Sequence, residues 1–335
     1  MTSGGRLLWL RATMVGLSAF LCLALAVLHL VRPASCAAAT WLPAWLWLIP
    51  GGAFLALGWR RETHRWALAC AAGWLIFLML AADTPQSLLR QPALADAEFE
   101  AARSAGRGLR VVSLNCACEM PAAARETEAF QPDVVLLQES GLRRAVEDVG
   151  RELYGGKAVV VWDMDTSVVA RGTLLEKEVT ARMGRGAFTR ALIRLDSGRR
   201  IEVVSLRLPP PVVRADLWSG ECWVEHRDDR LLRRDLLRAF RSRIEKRNAA
   251  TPLIAGGDFN VPAGDVSLRE LHPVLGDAFY AAGVGWGHSA LNDLPVLRVD
   301  QIWVGRGALP VSVRSRATRN SDHRMVVCDL LLPEE

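Results

Sequence analysis

The stretch Leu253-Ile254-Ala255-Gly256-Gly257-Asp258-Phe259-Asn260 decides how the larger part of this chain is interpreted. Its short apolar run predicts a buried strand over 253–256, and the glycines after it are turn signals. Asp258 and Asn260 follow at once. Polar side chains at the end of a buried strand lie at the edge of a sheet, where a ligand can reach them. The alternative interpretation of Asp258-Phe259-Asn260 is a plain turn, because Asp and Asn favour turns.

Working outward, the same arrangement recurs at four other places. In each, a polar residue suited to a metal ion or a phosphate group adjoins an apolar run. Asn115 follows the run 111–114, Gln138 and Glu139 follow 134–137, Asp300 begins the run 300–302, and Ser321-Asp322-His323 precedes the run 325–330. Carboxylates at strand ends gather at one edge of a sheet although they come from distant parts of the chain. The sequence therefore predicts a single acidic site.

The region from residue 107 onward alternates short β-branched runs with turn signals and arginine-rich helical stretches. Many strands with a few intervening helices predict an α/β fold in which two sheets pack together and helices lie outside. We predict strands over 110–115, 134–138, 157–162, 168–170, 191–195, 201–207, 253–256, 301–304 and 325–330, and helices over 96–103, 122–130 and 226–247.

The first 82 residues concentrate the apolar composition of a chain that is 51% hydrophobic. Three apolar runs, 7–31, 41–59 and 66–82, are each close to the about 20 residues that cross a bilayer. We therefore predict a membrane anchor of about three transmembrane helices over 1–82, a linker over 83–106 and a catalytic domain over 107–335. A signal peptide is the alternative for the first run. Pro43 and Pro50 make a re-entrant second segment the alternative for the second run.

The distribution of arginines predicts the orientation in the membrane. Arg60, Arg61 and Arg65 fill the short loop between the second and third runs, and Arg6 and Arg11 lie at the start of the first run. Basic loops stay in the cytoplasm. The chain is therefore predicted to be a multi-pass protein of the cell membrane, with the lipid bilayer as a partner and everything after residue 82 outside the cytoplasm.

Charge and cysteine content narrow the function only slightly. The net charge is +5, and Lys157, Lys177 and Lys246 are the lysines of a chain whose other basic residues are arginines. An arginine-rich balance fits phosphate-bearing partners, although genomic base composition also explains it. No cysteine pair has zinc-finger spacing. Cys116, Cys118 and Cys222 are either free thiols or partners in disulfides formed outside the cytoplasm.

The ordered set Leu-Asn, Gln-Glu, Gly-Asp-Phe-Asn, Asp-x-Ile and Ser-Asp-His resembles the endonuclease/exonuclease/phosphatase superfamily, in particular its membrane-anchored bacterial members. The resemblance covers about residues 107–335. It implies a four-layered α/β sandwich and a divalent metal cofactor, usually Mg²⁺ with Mn²⁺ as the alternative. Such hard cations prefer oxygen ligands.

The resemblance also implies roles for individual residues. The metal ligands are Asn115, Glu139 and Asp322. Asp258 orients or deprotonates the attacking water, and Asn260 donates to a phosphate oxygen. Asp300 holds the His323 imidazole beside the phosphate. The catalytic residues are thus Asp258, Asn260, Asp300, His323 and Arg207.

Arg207 marks a departure from the superfamily pattern. The strand over 201–207 usually ends there in a Thr-His-Leu-like motif, but this chain has Ser205-Leu206-Arg207. An arginine can clamp a phosphate with its fork of donors but does not readily release a proton. Either Arg207 stabilises transition-state charge, or His226, His288 or a metal-bound water supplies the proton. A surface cation is the plainer interpretation of Arg207.

Three functions follow. The first is a divalent-metal-dependent phosphatase or phosphodiesterase at the membrane surface, acting on a lipid-linked phosphate or pyrophosphate. The second is a membrane-anchored endonuclease or exonuclease, in which the arginine-rich stretch 227–247 follows a nucleic acid backbone. The third is a non-catalytic membrane binding module. The full set of acidic motifs argues against the third, and no protein partner can be inferred.

Overall fold

A computed structural model describes residues 3–82, 84–118, 120–180, 187–246 and 250–334. The helices are α1 Ser3–Val31, α2 Ala37–Trp41, α3 Leu48–Gly58, α4 His64–Ala81, α5 Thr84–Leu89, α6 Asp96–Ser104, α7 Pro121–Arg125, α8 Arg143–Tyr154, α9 Gly220–Glu245 and α10 Ala278–Ala282. The strands are β1 Gly108–Asn115, β2 Val134–Gln138, β3 Ala158–Val161, β4 Thr166–Arg171, β5 Thr173–Thr180, β6 Ala187–Arg194, β7 Arg200–Arg207, β8 Leu253–Asp258, β9 Gly276–Asp277, β10 Asp300–Gly305, β11 Leu309–Arg316 and β12 Met325–Leu331.

The chain divides into two compact units. The first contains Met1–Gln86, Val212–Leu231 and Gly264–Val266, and the second contains Ser87–Pro211, Leu232–Ala263 and Ser267–Glu335. Most of the segment predicted as a linker, 83–106, is grouped with the second unit. Phe99 of α6 is buried, and Arg103 forms an ion pair of 2.7 Å with Asp133.

The first unit contains two helices long and apolar enough to cross a membrane, over Gly5–Val31 and His64–Ala81. The second predicted run, 41–59, lies mostly in the second member of a helix pair, Ala34–Trp41 and Ala44–Gly58, that is bent by 79°. The count of candidate spans is therefore two, or three if the pair is one span. Pro43 lies at the bend and cannot donate a helical hydrogen bond. A buried serine connects these helices: Trp74 Nε1 donates to Ser18 Oγ at 3.0 Å, and that hydroxyl donates to the Gly51 carbonyl at 2.8 Å.

The second unit is built on two six-stranded sheets of mixed direction. Their strand orders are β11-β12-β1-β2-β4-β3 and β5-β6-β7-β8-β10-β9. The pairs β1–β2 and β7–β8 are parallel and the others are antiparallel. Parallel neighbours need a crossover connection, and α9 lies within the connection from β7 to β8.

Side chains from successive strand positions enter different apolar layers, because neighbouring residues of a strand point to opposite faces. Val111 packs in the cluster that joins the two sheets, whereas Val112 packs in the cluster against α7 and α8. A third cluster contains Leu237 and Phe240 of α9 together with Trp303 of β10, which belongs to the second sheet. Helices thus flank two packed sheets, and the predicted four-layered α/β sandwich is confirmed.

The two glycines of the opening stretch are required by close packing. A Cβ at Gly256 would lie 2.8 Å from Leu136 Cδ1, in the layer between the sheets. Gly257 has φ +152°, and a Cβ there would lie 1.8 Å from the Leu206 carbonyl oxygen on the neighbouring parallel strand. A side chain at either position would push layers or strands apart. The glycines therefore set the position from which Asp258 emerges.

Candidate active site

The ends of the central strands bring the predicted residues together. In the second sheet, Arg207 at the end of β7 is in register with Asp258 at the end of β8, and Asp258 is in register with Asp300 at the start of β10. In the first sheet, Asn115 ends β1 beside Gln138, which ends β2. Strand pairing alone thus places most of the predicted polar residues at adjoining sheet edges.

Asn115 connects the polar groups of the two sheets. Its Nδ2 donates to Glu139 Oε1 at 3.1 Å and to Asp258 Oδ2 at 3.0 Å. Its Oδ1 accepts from the backbone N–H of Ala117 at 3.0 Å, and the side chain is buried. A buried amide with all these contacts is fixed in place. Asn115 therefore holds two carboxylates at a constant separation.

Glu139 is held as a carboxylate by several donors. Its backbone adopts the left-handed region at φ +48°. Its Oε2 accepts from the Cys118 backbone N–H at 2.7 Å, and its Oε1 accepts from Arg207 Nη2 at 2.7 Å in addition to Asn115. Burial opposes the charge, but these donors outweigh burial and lower the pKa of Glu139. The side chain is thus ready to bind a cation.

Asp258, Asp300 and His323 form the centre of the site. Their ligand atoms all lie within 4.8 Å of one another. His323 Nδ1 lies 2.7 Å from Asp300 Oδ2. Burial, and then repulsion from Asp300, raise the pKa of Asp258. Burial opposes a charged imidazole, but Asp300 above all outweighs it and raises the pKa of His323. The predicted Asp300–His323 pair is present, and Asp258 is a buried carboxylate beside it.

Two serines position this centre. Ser321 Oγ donates to the Asn115 carbonyl at 2.7 Å and accepts from the His323 backbone N–H at 3.0 Å, which ties the histidine to the end of β1. Ser289 Oγ accepts from the backbone N–H groups of Val299 and Asp300. Ser321 belongs to a motif that the sequence reveals. Ser289 precedes no apolar run and has no local signal in the sequence.

Asn260 and Asp322 are placed differently from the central groups. Asn260 Nδ2 donates to the Leu208 carbonyl at 2.9 Å, and an amide nitrogen has a second hydrogen with which to donate to a phosphate oxygen. The Asp322 side chain is exposed, and its charge contributes to the raised pKa of His323. Its role as a metal ligand stays a prediction.

Arg207 points its donors at carboxylates. Besides Glu139, its Nη1 lies 3.4 Å from Asp165 Oδ1. Asp165 was not predicted, because it lies in a loop before β4 without a motif of its own. Of the two alternative proton donors, His226 belongs to the first unit, and its Nε2 lies 2.9 Å from the Arg214 carbonyl. His288 packs edge-on against Trp286 and directly precedes Ser289, whose hydroxyl accepts from the Asp300 backbone N–H.

The cysteines left open by the sequence are free thiols. Cys116 and Cys222 are buried and Cys118 is exposed. Burial raises the pKa of Cys116 to about 12, so this thiol stays protonated.

The donor set fits a divalent cation. Asp258 and Asp300 are two buried carboxylates at close range, and Asp300 Oδ1 is buried without a hydrogen-bond partner. Buried charges of one sign are costly unless they are compensated, and the His323 imidazole, with its raised pKa, compensates one of the two carboxylates. Glu139 and Asn115 add further oxygens nearby. Carboxylate and amide oxygens are the ligands that hard divalent ions prefer.

Comparisons with known proteins bear on the family and the fold. The model of the Endonuclease/Exonuclease/phosphatase family matches residues 112–323. No curated protein gives a significant match.

Solved structures similar in fold include a family protein from Bacteroides thetaiotaomicron, with 15% identity, TM-score 0.51, and 68% of this chain and 98% of that one covered. A second, from Bacteroides vulgatus, has 17% identity, TM-score 0.52 and coverage of 67% and 99%. TDP2 from C. elegans has 17% identity, TM-score 0.52 and coverage of 70% and 80%. Identities this low establish the fold alone. The family match spans more than half of the sequence and includes Asn115, Glu139, Asp258, Asp300 and His323, so the chain belongs to the endonuclease/exonuclease/phosphatase family.

Proposed function

We propose that this chain is a divalent-metal-dependent phosphoester hydrolase that works at a membrane surface on a lipid-linked phosphate or pyrophosphate. The observation that carries the proposal is the buried cluster of Asp258, Asp300 and His323, in a chain that also contains apolar helices of membrane-spanning length.

Each central side chain has a task suited to its surroundings. Asp258, whose pKa is raised, accepts a proton from the attacking water more readily than an ordinary aspartate does. His323, oriented by Asp300, presents a positive imidazole to a phosphate oxygen. Asn260 and Arg207 supply further donors to non-bridging oxygens. A divalent cation held by Glu139 and Asn115, with Mg²⁺ the first choice, supplies Lewis acidity and charge neutralisation at the phosphoryl group.

The identity of Arg207 supports a pyrophosphate. An arginine stabilises negative charge but cannot readily protonate a leaving alkoxide. A phosphate leaving group departs without a strong acid, whereas the sugar alkoxide of a nucleic acid must be protonated or stabilised by a metal. Helices of membrane-spanning length support a substrate that is itself held in the bilayer.

The contacts of α9 weigh against the nuclease alternative. Within the described residues, each arginine of this helix lies beside an acidic side chain or a backbone carbonyl. Arg227 pairs with Asp228, Arg230 with Asp265, Arg234 with Asp235, Arg238 and Arg241 with Glu270, and Arg243 with Glu178, whereas Arg233 donates to Pro209 and Pro210. A guanidinium that is buried with its carboxylate, as Arg230 is with Asp265, contributes little to binding a phosphate backbone, whereas the exposed pairs of Arg227 and Arg234 are weak.

The test is a substrate panel assayed with the full chain in lipid nanodiscs. Phosphate or nucleotide release is measured from polyprenyl phosphates and pyrophosphates, inositol phosphates and plasmid DNA, with Mg²⁺ and after exhaustive EDTA treatment. We expect Mg²⁺-dependent release from a lipid pyrophosphate and loss of that release in EDTA. Efficient plasmid cleavage with no release from any pyrophosphate would establish the nuclease instead. No turnover of any substrate would favour a binding module, and undiminished turnover in EDTA would contradict metal dependence.

A further inference from the structure

The segment 212–219, here named the Trp218 loop, belongs to the first unit and exposes large apolar side chains. Trp218 is 88% exposed, the highest fraction among the large apolar side chains of the described residues, and Val213 is 76% exposed. A fully exposed tryptophan forgoes a large amount of hydrophobic stabilisation. Such a side chain is expected to be covered by another molecule or by a lipid surface when the protein is in its natural surroundings.

Hydrogen bonds and ion pairs hold the loop in one conformation, so the exposure of Trp218 does not result from an unconstrained backbone. The guanidinium of Arg214 forms two hydrogen bonds with the Asp216 carboxylate, at 3.0 and 2.6 Å, and donates to Glu225 Oε1 at 2.8 Å. Trp223 Nε1 donates to the Leu217 carbonyl at 2.8 Å. His226 Nε2 lies 2.9 Å from the Arg214 carbonyl. These contacts fix a backbone conformation that presents Trp218 outward.

The helix that follows the loop contacts the chain just beyond α1. Arg230 donates to the Pro33 carbonyl at 3.2 Å and to Thr40 Oγ1 at 2.6 Å. The ring of His226 lies 5.5 Å from the ring of Trp41. All of these residues belong to the first unit. α1 ends at Val31, so residues 33–41 directly follow the end of this candidate span.

We propose that the Trp218 loop is a membrane-interface element whose Trp218 and Val213 side chains enter the headgroup region of the bilayer that α1 crosses. Tryptophan suits this depth, since its ring is apolar and its indole N–H seeks a polar partner. The ion pairs of Arg214 with Asp216 and Glu225 provide partners for these charges within the first unit, which lowers the cost of bringing them close to the lipid headgroups. The inference rests on α1 as a transmembrane helix and is independent of the hydrolytic activity.

A fluorescent label reports the depth of the loop. The full chain carries Cys36→Ala and Cys118→Ser, which leave only buried thiols. A nitrobenzoxadiazole maleimide is attached at Trp218→Cys in one protein and at Ser197→Cys, an exposed residue of the turn between β6 and β7, in the matched control. Both proteins are placed in phosphatidylcholine nanodiscs that contain lipids with a nitroxide on the headgroup. We expect the label at position 218 to lose emission to the nitroxide and to be shielded from aqueous iodide, and the label at 197 to show neither effect.

Emission at position 218 that responds to iodide and not to nitroxide lipid would overturn the proposal. So would shielding from iodide that grows with protein concentration in the absence of lipid, since this result would assign the loop to contact with a second copy of the chain. In a second readout, quenching of native fluorescence by lipids brominated near the headgroup should decrease in Trp218→Phe, and an unchanged quenched fraction would count against the proposal. None of these measurements uses hydrolysis, so their failure is distinguishable from failure of the proposed function.

Discussion

The guanidinium of Arg207 and the amide of Asn115 both donate to Oε1 of Glu139, at 2.7 and 3.1 Å. A divalent ion that binds this carboxylate therefore meets a fixed positive charge beside an oxygen that is already hydrogen-bonded. The divalent ion and the Arg207 guanidinium would then bind the same carboxylate, so the affinity for the metal depends on how far Arg207 moves away from Glu139. Two positive charges at such close range repel each other even when solvent screens them, so the guanidinium weakens metal binding.

We predict that Arg207→Ala tightens Mg²⁺ binding and slows hydrolysis at saturating Mg²⁺ by about 10²–10³-fold, the effect of removing one preorganised donor. Isothermal titration gives the affinity, and turnover gives the rate. Arg207→Lys is the matched control, since it keeps the charge but loses the fork of donors. We expect it to bind Mg²⁺ much as the wild type does and to turn over slowly. Weaker Mg²⁺ binding by Arg207→Ala would contradict this account.

Arg207→His asks a separate question at the same position. If the site lacks a proton donor, a histidine there should raise activity toward substrates with poor leaving groups. If Arg207 acts as a phosphate clamp, the same change should lower activity toward every substrate. The two outcomes are read from rates on a pyrophosphate and on a simple alkyl phosphate.

The Asp300–His323 pair leads to the second prediction. Glu139→Ala, His323→Ala and Asp300→Asn should each lower turnover by at least about 10²-fold, the low end for a positioned acid–base or orienting group. Asp329→Asn is the control, because Asp329 of β12 forms a 2.6 Å ion pair with Arg110, which lies near the opposite end of β1 from Asn115. Near-native turnover in any of the three site variants, with the protein folded, would mean that the site is misassigned.

Residues in motifs could be predicted from the sequence, and residues that support them could not. Asn115, Glu139, Asp258, Asp300 and His323 adjoin apolar runs, and strand ends converge in any packed sheet. The supporting residues include Asp165 and Ser289, which reach the site from loops. Loop conformation depends on tertiary contacts that leave no periodic signal, so these residues became visible only in the structure.

At the level of elements, strands buried on both faces were predictable, whereas two edge strands, β5 and β11, were not. β2 is buried at every position and is matched to the residue by its apolar run. β5, at the edge of its sheet, reads Thr-Leu-Leu-Glu-Lys-Glu-Val-Thr and is largely exposed. Charged residues on an edge strand discourage pairing with other chains and also hide the strand from hydropathy. β11, another edge strand, was missed for a related reason, since its exposed ends dilute the apolar pattern.

The conformation at Gly257 gives a prediction about the sheet. Gly257→Ala places a Cβ against the Leu206 carbonyl on β7 at a φ that alanine avoids. We expect the free energy of unfolding to fall by at least about 2 kcal/mol, the combined effect of backbone strain and overpacking. Chemical denaturation measures it. Gly156→Ala is the control, because a Cβ there meets no atom within 4 Å. Equal stability of the two variants would contradict the packing argument.

The short helical turn over Glu126–Phe130 gives a prediction about pH. Burial and the neighbouring Glu152 carboxyl raise the pKa of Glu128 to about 7. The folded state then holds a proton that the unfolded state releases near the ordinary glutamate pKa of about 4.3. The free energy of unfolding therefore falls as pH rises from about 4.3 to about 7.

We expect Glu128→Gln to raise the melting temperature at pH 8 by more than at pH 5, measured by thermal unfolding of the full chain in detergent. Glu147→Gln, which removes an exposed ion pair with Arg143, is the control and should have little effect at either pH. A Glu128→Gln variant whose gain is the same at both pH values would refute the assignment.

The division of the whole molecule could be predicted only in part. Hydropathy separates residues 1–82 from the rest, because a bilayer demands long apolar helices. It does not reveal that 212–231 and 264–266 join the first unit. There, Arg230 and Asp265 form a buried ion pair of 2.7 Å, and Arg230 also donates to Thr40. Polar contacts between residues so far apart in sequence have no periodic signature. For this reason the prediction from sequence placed 212–231 and 264–266 in the catalytic domain.

The last prediction concerns the side of the membrane on which the chain ends. Arg60, Arg61 and Arg65 lie between the bent helix pair and α4, and basic residues in short loops are retained in the cytoplasm. Helix α4 then leads outward, and a reporter fused after Glu335 should be active as alkaline phosphatase and dark as green fluorescent protein. Replacing the three arginines by glutamine weakens the bias, since only Arg6 and Arg11 at the start of α1 then favour the cytoplasm, and we expect mixed signals from both reporters. A fluorescent wild-type fusion without phosphatase activity would place the hydrolase in the cytoplasm. It would restrict the substrate to lipid-linked phosphates presented on the inner leaflet, and it would leave the active-site predictions unchanged, because none of them depends on sidedness.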